Sequence, residues 1–152
     1  MPLSAFTRSE LIFPELGGHD RDSILRFFAE RLAEAAGLDV EDVHRGLVER
    51  EDLGSTGIGG GVAIPHARVA GLDRALMAVG LAADGIDFGA IDGQPVRVFF
   101  VIVSPKEDPQ QNLRSLAAVS AWVKEEGNVE ALLAMPSSAA MAEALAADTV
   151  RE

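Results

Sequence analysis

The sequence predicts an α/β fold in which helices cover one β-sheet. Two apolar runs typical of buried strands lie at residues 75–84 and 96–105, and segments with the apolar periodicity of helices stand on either side of them. The 152 residues suit one domain, and 48% of them are hydrophobic, which is enough to build a sizeable core. We therefore expect residues 1–152 to form a single domain.

Two amphipathic helices are expected in the first third of the chain, at residues 20–37 and 38–52. Their apolar faces comprise Ile24, Phe27, Phe28 and Leu32 in the first helix and Val40, Val43 and Leu47 in the second. The expected caps are Asp22 or Ser23 and Gly37 for the first helix, and Asp39 for the second, which stops near Gly54. We interpret the acidic side chains between residues 39 and 52 as a solvated face.

Three strands are expected after these helices. A brief strand at residues 62–66, with the sequence VAIPH, is interrupted by a proline near its end, and a longer strand follows at 75–84. The run at 96–105 is almost continuously apolar, which indicates burial on both faces. The pair Asp92–Gly93 predicts a turn between the two longer strands.

A third long helix is expected within residues 106–127, after the last strand. Asp108 is its expected N-cap, Pro109 suits the first helical position, and Gln111 has the spacing of a capping box. The apolar or small residues at helical spacing are Leu113, Leu116, Ala117, Ser120, Trp122 and Val123. Two short helices are expected at residues 128–135 and 137–149.

Charge and composition narrow the functional classes. The net charge of −11 argues against nucleic-acid binding, and the absence of cysteine excludes disulfides, thiolate zinc sites and cysteine nucleophiles. The three histidines lie far apart without metal-ligand spacing, so no metal or cofactor is expected. No apolar run reaches the roughly 18 residues of a membrane-spanning helix, and the first residues lack the order of a signal peptide. We therefore expect a cytoplasmic protein without direct membrane insertion.

The segment GSTGIGGGVAIPHARV, residues 54–69, places five glycines before one histidine, His66, on an expected loop leaving the sheet. One interpretation is a histidine satisfied within a turn. A second is an anion site, because backbone N–H groups of a glycine-rich turn can converge on a phosphate; the full dinucleotide fingerprint and a Walker-type lysine are absent. A third makes His66 a phosphoryl acceptor, since neutral imidazole is a good nucleophile near pH 7. Arg50, Ser55 and Thr56 would then supply charge and hydroxyl donors.

Three stretches of the sequence resemble the enzyme IIA domain of the fructose–mannitol class of the phosphoenolpyruvate-dependent sugar phosphotransferase system, with its nitrogen-regulatory branch nearest. They read REDLGSTGIGGGVAIPHARV, GIDFGAIDGQPVRVFFVIVSP and NLRSLAAVSAWV, and the resemblance covers nearly the whole chain. It implies a mixed sheet flanked by helices. It also implies that His66 accepts a phosphoryl group on Nε2 from the phosphohistidine of the carrier HPr or its nitrogen-branch equivalent, with Arg50 offsetting phosphate charge. The implied phosphate loop comprises Ser55, Thr56, Gly57, Gly59 and Gly61.

One position departs from the pattern of this family. The helix after the long buried strand usually begins with His-Leu, and that second histidine lies beside the phosphorylated one; the matching residue here is Asn112. Asparagine donates a hydrogen bond but carries no charge, and charge-assisted hydrogen bonds contribute about 1.5–3 kcal/mol against about 1 for neutral ones. We predict slower or weaker phosphorylation rather than its loss, because Asn112 still lies in the first turn of a helix. Gly60 replaces a common asparagine, a change that a turn tolerates.

These residues support a leading hypothesis and two alternatives. The first is a phosphocarrier that passes its phosphoryl group to an enzyme IIB for sugar phosphorylation or uses it as a regulatory signal. The alternative, for which Asn112 is the reason, is a regulatory binding module with weak or lost phosphotransfer that docks to regulatory protein targets. A third hypothesis is anion or nucleotide binding by the glycine loop alone. His19 and His44 are interpreted as solvated surface residues and Trp122 as a core residue.

Overall fold

The computed structural model describes residues 2–17, 20–135 and 137–146, which form a mixed sheet with helices on both faces. The helices are α1 (Arg21–Ala36), α2 (Val40–Leu53), α3 (Pro109–Lys124), α4 (Asn128–Leu133) and α5 (Ser138–Ala146). The strands are β1 (Ile12–Phe13), β2 (Gly57–Gly59), β3 (Val62–Ala63), β4 (His66–Val69), β5 (Leu76–Ile86) and β6 (Val96–Pro105). Two short 3₁₀-helices, Leu3–Phe6 and Ser9–Leu11, precede β1. The predicted α/β class is confirmed.

Strand β6 lies at the centre of the sheet. It pairs antiparallel with β5 and parallel with both β3 and β4, while β1 pairs with β5 and β2 with β3 at the two edges. The predicted run at 96–105 has the bounds of β6, and the predicted run at 75–84 corresponds to β5, which continues to Ile86. The predicted turn between them is present, with Gly93 at a φ of 72°.

The core consists of two layers, one on each face of the sheet. Val101 and Val103 of β6 pack in the layer that contains α1 and α2, whereas Phe100 and Ile102 pack in the layer that contains α3, α4 and α5. All four side chains are fully buried. Because alternate residues of a strand point to opposite faces, a strand covered on both sides must be apolar at nearly every position. This explains the continuous apolar run and confirms its predicted burial.

The predicted strand at residues 62–66 is divided into two strands. β3 ends at Ala63 and β4 begins at His66, because Pro65 has no N–H to contribute to a sheet ladder. The carbonyl of Pro65 still accepts the N–H of Ile102 at 2.9 Å, which keeps the chain beside β6. His66 therefore begins a paired strand and does not lie on a loop leaving the sheet.

The N-cap of the first helix differs from the two predicted candidates. The N-cap is Asp20 and neither Asp22 nor Ser23: the Asp20 carboxylate accepts the N–H of Ser23 at 2.8 Å, and the Ser23 hydroxyl accepts the N–H of Asp20 at 2.9 Å. This reciprocal arrangement is a capping box, so Ser23 occupies its third helical position. The other predicted caps of the first two helices, Gly37, Asp39 and Gly54, are confirmed.

Helix α3 starts at Pro109 behind Asp108, as predicted, and ends at Lys124. Gln111 does not complete a capping box there. Its side-chain amide donates to the carbonyl of Asp73 at 3.0 Å and to the carboxylate of Asp108 at 3.1 Å. The glutamine therefore ties the start of α3 to the segment before β5.

The buried face of α3 differs from the predicted one. It comprises Ser115, Val119 and Trp122, spaced four and then three residues apart, whereas Leu113 and Ala117 are exposed. The expected face began at a leucine, but the real one begins at a serine whose hydroxyl bonds to a backbone carbonyl of its own helix. A satisfied hydroxyl is compatible with burial, so residue hydrophobicity alone did not predict Ser115. The predicted Leu116, Trp122 and Val123 do pack against the core, whereas Leu113 and Ala117 do not. Trp122 is a core residue, as predicted.

The two short helices at the end of the chain correspond to α4 and α5. Residues 147–149 of the second predicted helix lie outside the described residues, as does His19. Within the described ranges, no helix has both the length and the apolar character that crossing a membrane requires.

Candidate active site

His66 is held by the backbone on the side of one ring nitrogen. Its Nδ1 lies 2.8 Å from the carbonyl oxygen of Ile64. A carbonyl can only accept, so Nδ1 carries the hydrogen and, in the neutral ring, Nε2 holds the lone pair. The strand pairing of His66 with Ile102 fixes the backbone beneath the ring. The local fold therefore leaves Nε2 as the ring nitrogen with the lone pair.

The surroundings of the ring favour its neutral form. Burial lowers the pKa of His66 below its usual value, and the positive charge of Arg50 lowers it further. The hydrogen bond to Ile64 and the negative charge of Glu51 act in the opposite direction without reversing the shift. At pH 7 the imidazole is therefore mostly neutral, the form that can act as a nucleophile.

A cavity of about 620 Å³ brings together three of the residues predicted from the sequence. His66 at the start of β4, Arg50 in the last turn of α2 and Asn112 in the first turn of α3 all line it. The Arg50 guanidinium donates to the carbonyl of Gly54 at 2.8 Å, which anchors this side chain at the end of its helix. The imidazole of His66, the guanidinium of Arg50 and the amide of Asn112 therefore line one cavity.

Helix α2 approaches β4 closely at Gly46. A Cβ atom built on this glycine would lie 3.0 Å from the Cβ of Ala67, which is tighter than almost all real contacts. Gly46 precedes Arg50 by one helical turn and lines the same cavity. The missing side chain therefore permits the approach that brings Arg50 towards His66.

The side chain of Asn112 is hydrogen-bonded to the central strand, β6. Its Oδ1 accepts the hydroxyl of Ser104 at 3.3 Å, and Ser104 is fully buried near the end of β6. Within the described part of the chain, no acceptor is bonded to the Nδ2 amide of Asn112. One side of the amide is thus fixed, and its two N–H donors remain available at the cavity.

The glycine-rich stretch occupies a different place from the cavity. Of the described residues, none from 55 to 61 lines the space at His66, so the structure does not bring the predicted phosphate loop (Ser55, Thr56, Gly57, Gly59 and Gly61) into it. Gly57–Gly59 and Val62–Ala63 instead form a β-hairpin whose turn contains three successive glycines with positive φ: Gly59, Gly60 and Gly61. Glycine adopts three successive residues of this kind at the lowest cost, and this explains their clustering.

The polar groups of this hairpin bond within the fold. Ser55 Oγ accepts the N–H of Gly57 at 3.0 Å and donates to the carbonyl of Phe88 at 3.3 Å. The N–H of Gly60 donates to the carboxylate of Asp92 at 3.1 Å. These contacts hold the hairpin against the loop before β6 and engage two of its backbone donors, the N–H groups of Gly57 and Gly60.

Glu51 is a site residue that the sequence analysis placed on a solvated face. It is only 4% exposed, and its carboxylate accepts both the N–H and the hydroxyl of Thr56 at 2.7 Å each. The carbonyl of Thr56 accepts the N–H of Ile64 at 3.0 Å, and the carbonyl of Ile64 binds His66. A hydrogen-bonded chain therefore runs from Glu51 to the imidazole. The four-residue spacing of Val43, Leu47 and Glu51 is the signal that could have predicted its burial.

Two further cations that the sequence analysis missed line the cavity, Arg68 and Lys106. Arg68 follows His66 by two residues in β4, so alternation places both side chains on one face of the strand. Lys106 follows β6 directly, and its N–H donates to the carbonyl of Val69 at 2.9 Å. The two-residue spacing in His-Ala-Arg was a readable signal for Arg68, whereas Lys106 needed the parallel pairing of β4 with β6.

The cavity is locally positive although the chain is strongly acidic. Arg50, Arg68 and Lys106 are its cations, and Glu49 and Asp52 are its carboxylates, which leaves one net positive charge. Asp52 also pairs with Arg21 at 3.0 Å, so part of its charge is committed elsewhere. A nucleophilic imidazole beside this charge can accept an electrophile that carries negative charge. In the described ranges, no group of three or more acidic, histidine or cysteine residues is placed to hold a metal ion.

Comparison with known proteins gives a consistent picture. The sequence model of a family described as "Phosphoenolpyruvate-dependent sugar phosphotransferase system, EIIA 2" matches residues 5–147. A nitrogen regulatory protein of Bradyrhizobium diazoefficiens is 30% identical over 96% of this chain and 95% of the relative. The fructose-specific EIIA component of the phosphotransferase system of Haloferax volcanii is 31% identical over 95% of this chain and 94% of the relative.

Solved structures share the fold. The nitrogen regulatory protein IIA-Ntr of Neisseria meningitidis superposes with a TM-score of 0.87 at 27% identity, covering 94% of this chain and 98% of its own. The mannitol enzyme IIA of Escherichia coli, solved in complex with phosphorylated enzyme IIB, has a TM-score of 0.78 at 21% identity, covering 92% and 98% of the two chains. The predicted mixed sheet flanked by helices is thus the fold of these proteins.

Proposed function

This chain belongs to the EIIA 2 family of the phosphoenolpyruvate-dependent sugar phosphotransferase system, and from that premise we propose that it is a phosphocarrier whose His66 accepts a phosphoryl group on Nε2. The observation that carries the proposal is the hydrogen bond from Nδ1 to the Ile64 carbonyl, which leaves Nε2 with the lone pair. The neutral state favoured by burial and by Arg50 supports the same role.

The proposed step exchanges one P–N bond for another. The donor is a phosphohistidine whose ring carries its own N–H. The Nε2 lone pair of His66 attacks phosphorus while the donor P–N bond breaks, and that electron pair returns to the donor ring. His66 keeps its Nδ1 hydrogen, so its ring gains the positive charge that the donor ring loses, and the Ile64 carbonyl stabilises that charge. Little other protein chemistry is required, because phosphoryl transfer depends mainly on positioning and electrostatics.

The other site residues have roles that follow from their places. Arg50 offsets phosphate charge from the end of α2, and Asn112 donates from the first turn of α3. Glu51 acts through Thr56 and Ile64 as a positioning residue. We propose that Ser55, Gly57, Gly59 and Gly61 serve the site indirectly, by building the hairpin that holds Thr56 and Ile64 in place.

The partner proposed for this step is an HPr-type phosphocarrier or its nitrogen-branch equivalent. The net charge of −11 suits a basic docking face on such a carrier. Relatives include both a nitrogen regulatory protein and a fructose-specific EIIA component, so the phosphoryl group would serve regulation or onward sugar phosphorylation through an enzyme IIB.

The test is phosphorylation followed by intact mass. The protein is incubated with phosphoenolpyruvate, enzyme I and the cognate HPr-type carrier, alongside His66→Ala and His44→Ala. His44 is a partly buried histidine of α2 that does not line the cavity. We expect one acid-labile phosphoryl adduct in the unsubstituted protein and in His44→Ala, and none in His66→Ala. Absence of the adduct from all three proteins would overturn the proposal.

Asn112 favours a second candidate function, a regulatory module that binds protein targets with weak or lost phosphotransfer. The residue is uncharged, and its Oδ1 is committed to Ser104. Asn112→His separates the two functions: a clear gain in transfer rate would support a working site slowed by the asparagine. An unchanged rate would show that Asn112 already suffices or is misaligned, and no transfer in either protein would support the binding module.

A further inference from the structure

We propose that Arg68 and Lys106 bind the phosphoryl group at His66 and supply the positive charge that Asn112 cannot provide. This inference rests on the proposed phosphocarrier function. It assigns two specificity-determining cations to the site, for a ligand of one chemical class, a tetrahedral oxyanion bearing about two negative charges.

The position of Arg68 is set by the strand that carries the nucleophile. His66 pairs with Ile102 and Arg68 with Ser104 in the parallel ladder between β4 and β6. Exposure along β4 alternates: His66 and Arg68 are accessible, whereas Ala67 and Val69 are buried. The guanidinium therefore extends from the same face as the imidazole, and both side chains line the same cavity.

Lys106 reaches this face from the neighbouring strand. Its backbone N–H is bonded to the last residue of β4, so the chain leaves β6 beside the end of the strand that bears His66. Asn112 accepts a hydrogen bond from Ser104, and Ser104 precedes Lys106 by two residues. Arg68, Lys106 and Asn112 thus surround the end of β6, and all three line the cavity with His66.

Both cations are available for an anion. Among the ion pairs of the described residues, neither Arg68 nor Lys106 takes part, and both side chains are exposed. By contrast, the cavity carboxylate Asp52 is paired with Arg21. Uncommitted guanidinium and ammonium groups beside a nucleophile provide the clamp that phosphoryl transfer requires.

The experiment uses a small donor, so that docking of a carrier protein does not enter. In phosphoramidate with a protonated nitrogen, the Nε2–P bond forms as the P–N bond breaks, and ammonia leaves with the electron pair of that bond. We would measure the rate by intact mass for Arg68→Gln, Lys106→Gln and the double variant. We expect rates about threefold lower for either single change and about tenfold lower for both, the range that exposed charge pairs reach.

Two kinds of control separate charge from structure. Lys106→Arg and Arg68→Lys keep the charge and should stay close to the unsubstituted rate. Arg74→Gln and Lys124→Gln remove exposed cations that do not line this cavity and should have no effect. A double variant that reacts with phosphoramidate at the unsubstituted rate would overturn the inference, even if it reacted more slowly with a carrier protein, because that result would assign the cations to docking.

A phosphate titration distinguishes failure of this inference from failure of the proposed function. Inorganic phosphate is added to the unsubstituted protein and to the double variant while the His66 ring resonances are followed by NMR. If no donor phosphorylates the protein, the phosphocarrier function fails, yet weaker phosphate binding in the double variant would still support the two cations as an oxyanion site. Equal affinity for phosphate in both proteins, or no phosphate binding in either, would refute the assignment of Arg68 and Lys106 to an oxyanion site.

Discussion

The glycine-rich hairpin at residues 57–63 and the strand β4 at His66–Val69 lie only two residues apart, yet they use their polar groups in opposite ways. In the hairpin the N–H groups of Gly57 and Gly60 bond to Ser55 and Asp92, and β3 pairs with β6, so these groups hold the hairpin in the fold. β4 bears His66 and Arg68, which face an open cavity. The glycine-rich segment therefore forms a structural hairpin, and the side chains that face the cavity follow it in β4.

This contrast gives an experimental rule. Substitutions in the hairpin should lower the free energy of unfolding and leave the phosphorylation rate of the folded protein unchanged. Substitutions at the cavity should lower the phosphorylation rate and leave the free energy of unfolding nearly unchanged. The chain from Glu51 through Thr56 and Ile64 to His66 connects the two regions, and only there should one change affect both properties.

The largest effect is expected for Glu51→Ala, which acts on this connection. Loss of the buried carboxylate leaves the N–H and hydroxyl of Thr56 without their acceptor, at a cost of about 3 kcal/mol in the free energy of unfolding. Because Glu51 raises the pKa of His66, its removal should also move that pKa further down. Urea denaturation and NMR titration of the ring measure the two effects. For stability the control is Glu49→Ala, an exposed glutamate of the same helix that lines the cavity, and equal stability of the two variants would contradict the prediction.

Gly57→Ala should come next and should affect stability alone. A Cβ at this position would lie 2.7 Å from the Cβ of Ala90 and 2.9 Å from its Cα, so backbone must shift. Overpacking of this kind costs about 1–3 kcal/mol. We expect a lower urea midpoint with an unchanged phosphorylation rate at a temperature where the variant is folded. A rate that fell with the stability would break the distinction between the two regions.

Arg50→Gln should show the opposite pattern. Phosphorylation should slow about tenfold, the low end for losing one charge-assisted hydrogen bond, while the urea midpoint changes little. Arg50 lowers the pKa of His66, so the variant raises it and increases the protonated, non-nucleophilic fraction in mildly acidic solution. The rate loss should therefore be greater at pH 6 than at pH 8. An equal loss at both values would remove the electrostatic part of the explanation.

The smallest effect is expected for Gly60→Asn. Gly60 has a φ of 65°, which asparagine adopts more readily than most residues, and a Cβ there meets no atom within 4 Å. Stability should change by about 0.5 kcal/mol or less, and the phosphorylation rate should not change. A large effect on either would mean that the turn contacts something that the hairpin geometry does not reveal.

The sequence was most informative where one local pattern determined the outcome. The run at 96–105 could be predicted with its bounds because burial on both faces demands apolar residues throughout. His66, Arg50 and Asn112 could be selected together through a family resemblance, and the structure brings all three to one cavity.

What could not be predicted depended on contacts between distant segments. Glu51 is charged, and only its hydrogen bonds to Thr56 make its burial tolerable, so composition placed it in solvent. Lys106 joins the site through the parallel pairing of β4 with β6, which no single segment encodes. A phosphate nest and a tight turn share one glycine signature, so the sequence alone could not place these glycines in a hairpin outside the cavity.

The absence of a side chain at Gly46 has a consequence for how such a site can be tuned. Any substitution there would push α2 away from Ala67 by a few tenths of an ångström or more, and Arg50, one turn further along, would move with it. The reacting nitrogen and the cation would both be unchanged, but the gap between them would widen. The side-chain size at position 46 therefore sets the spacing between Arg50 and His66, so a substitution there would alter the site while leaving both functional groups in place.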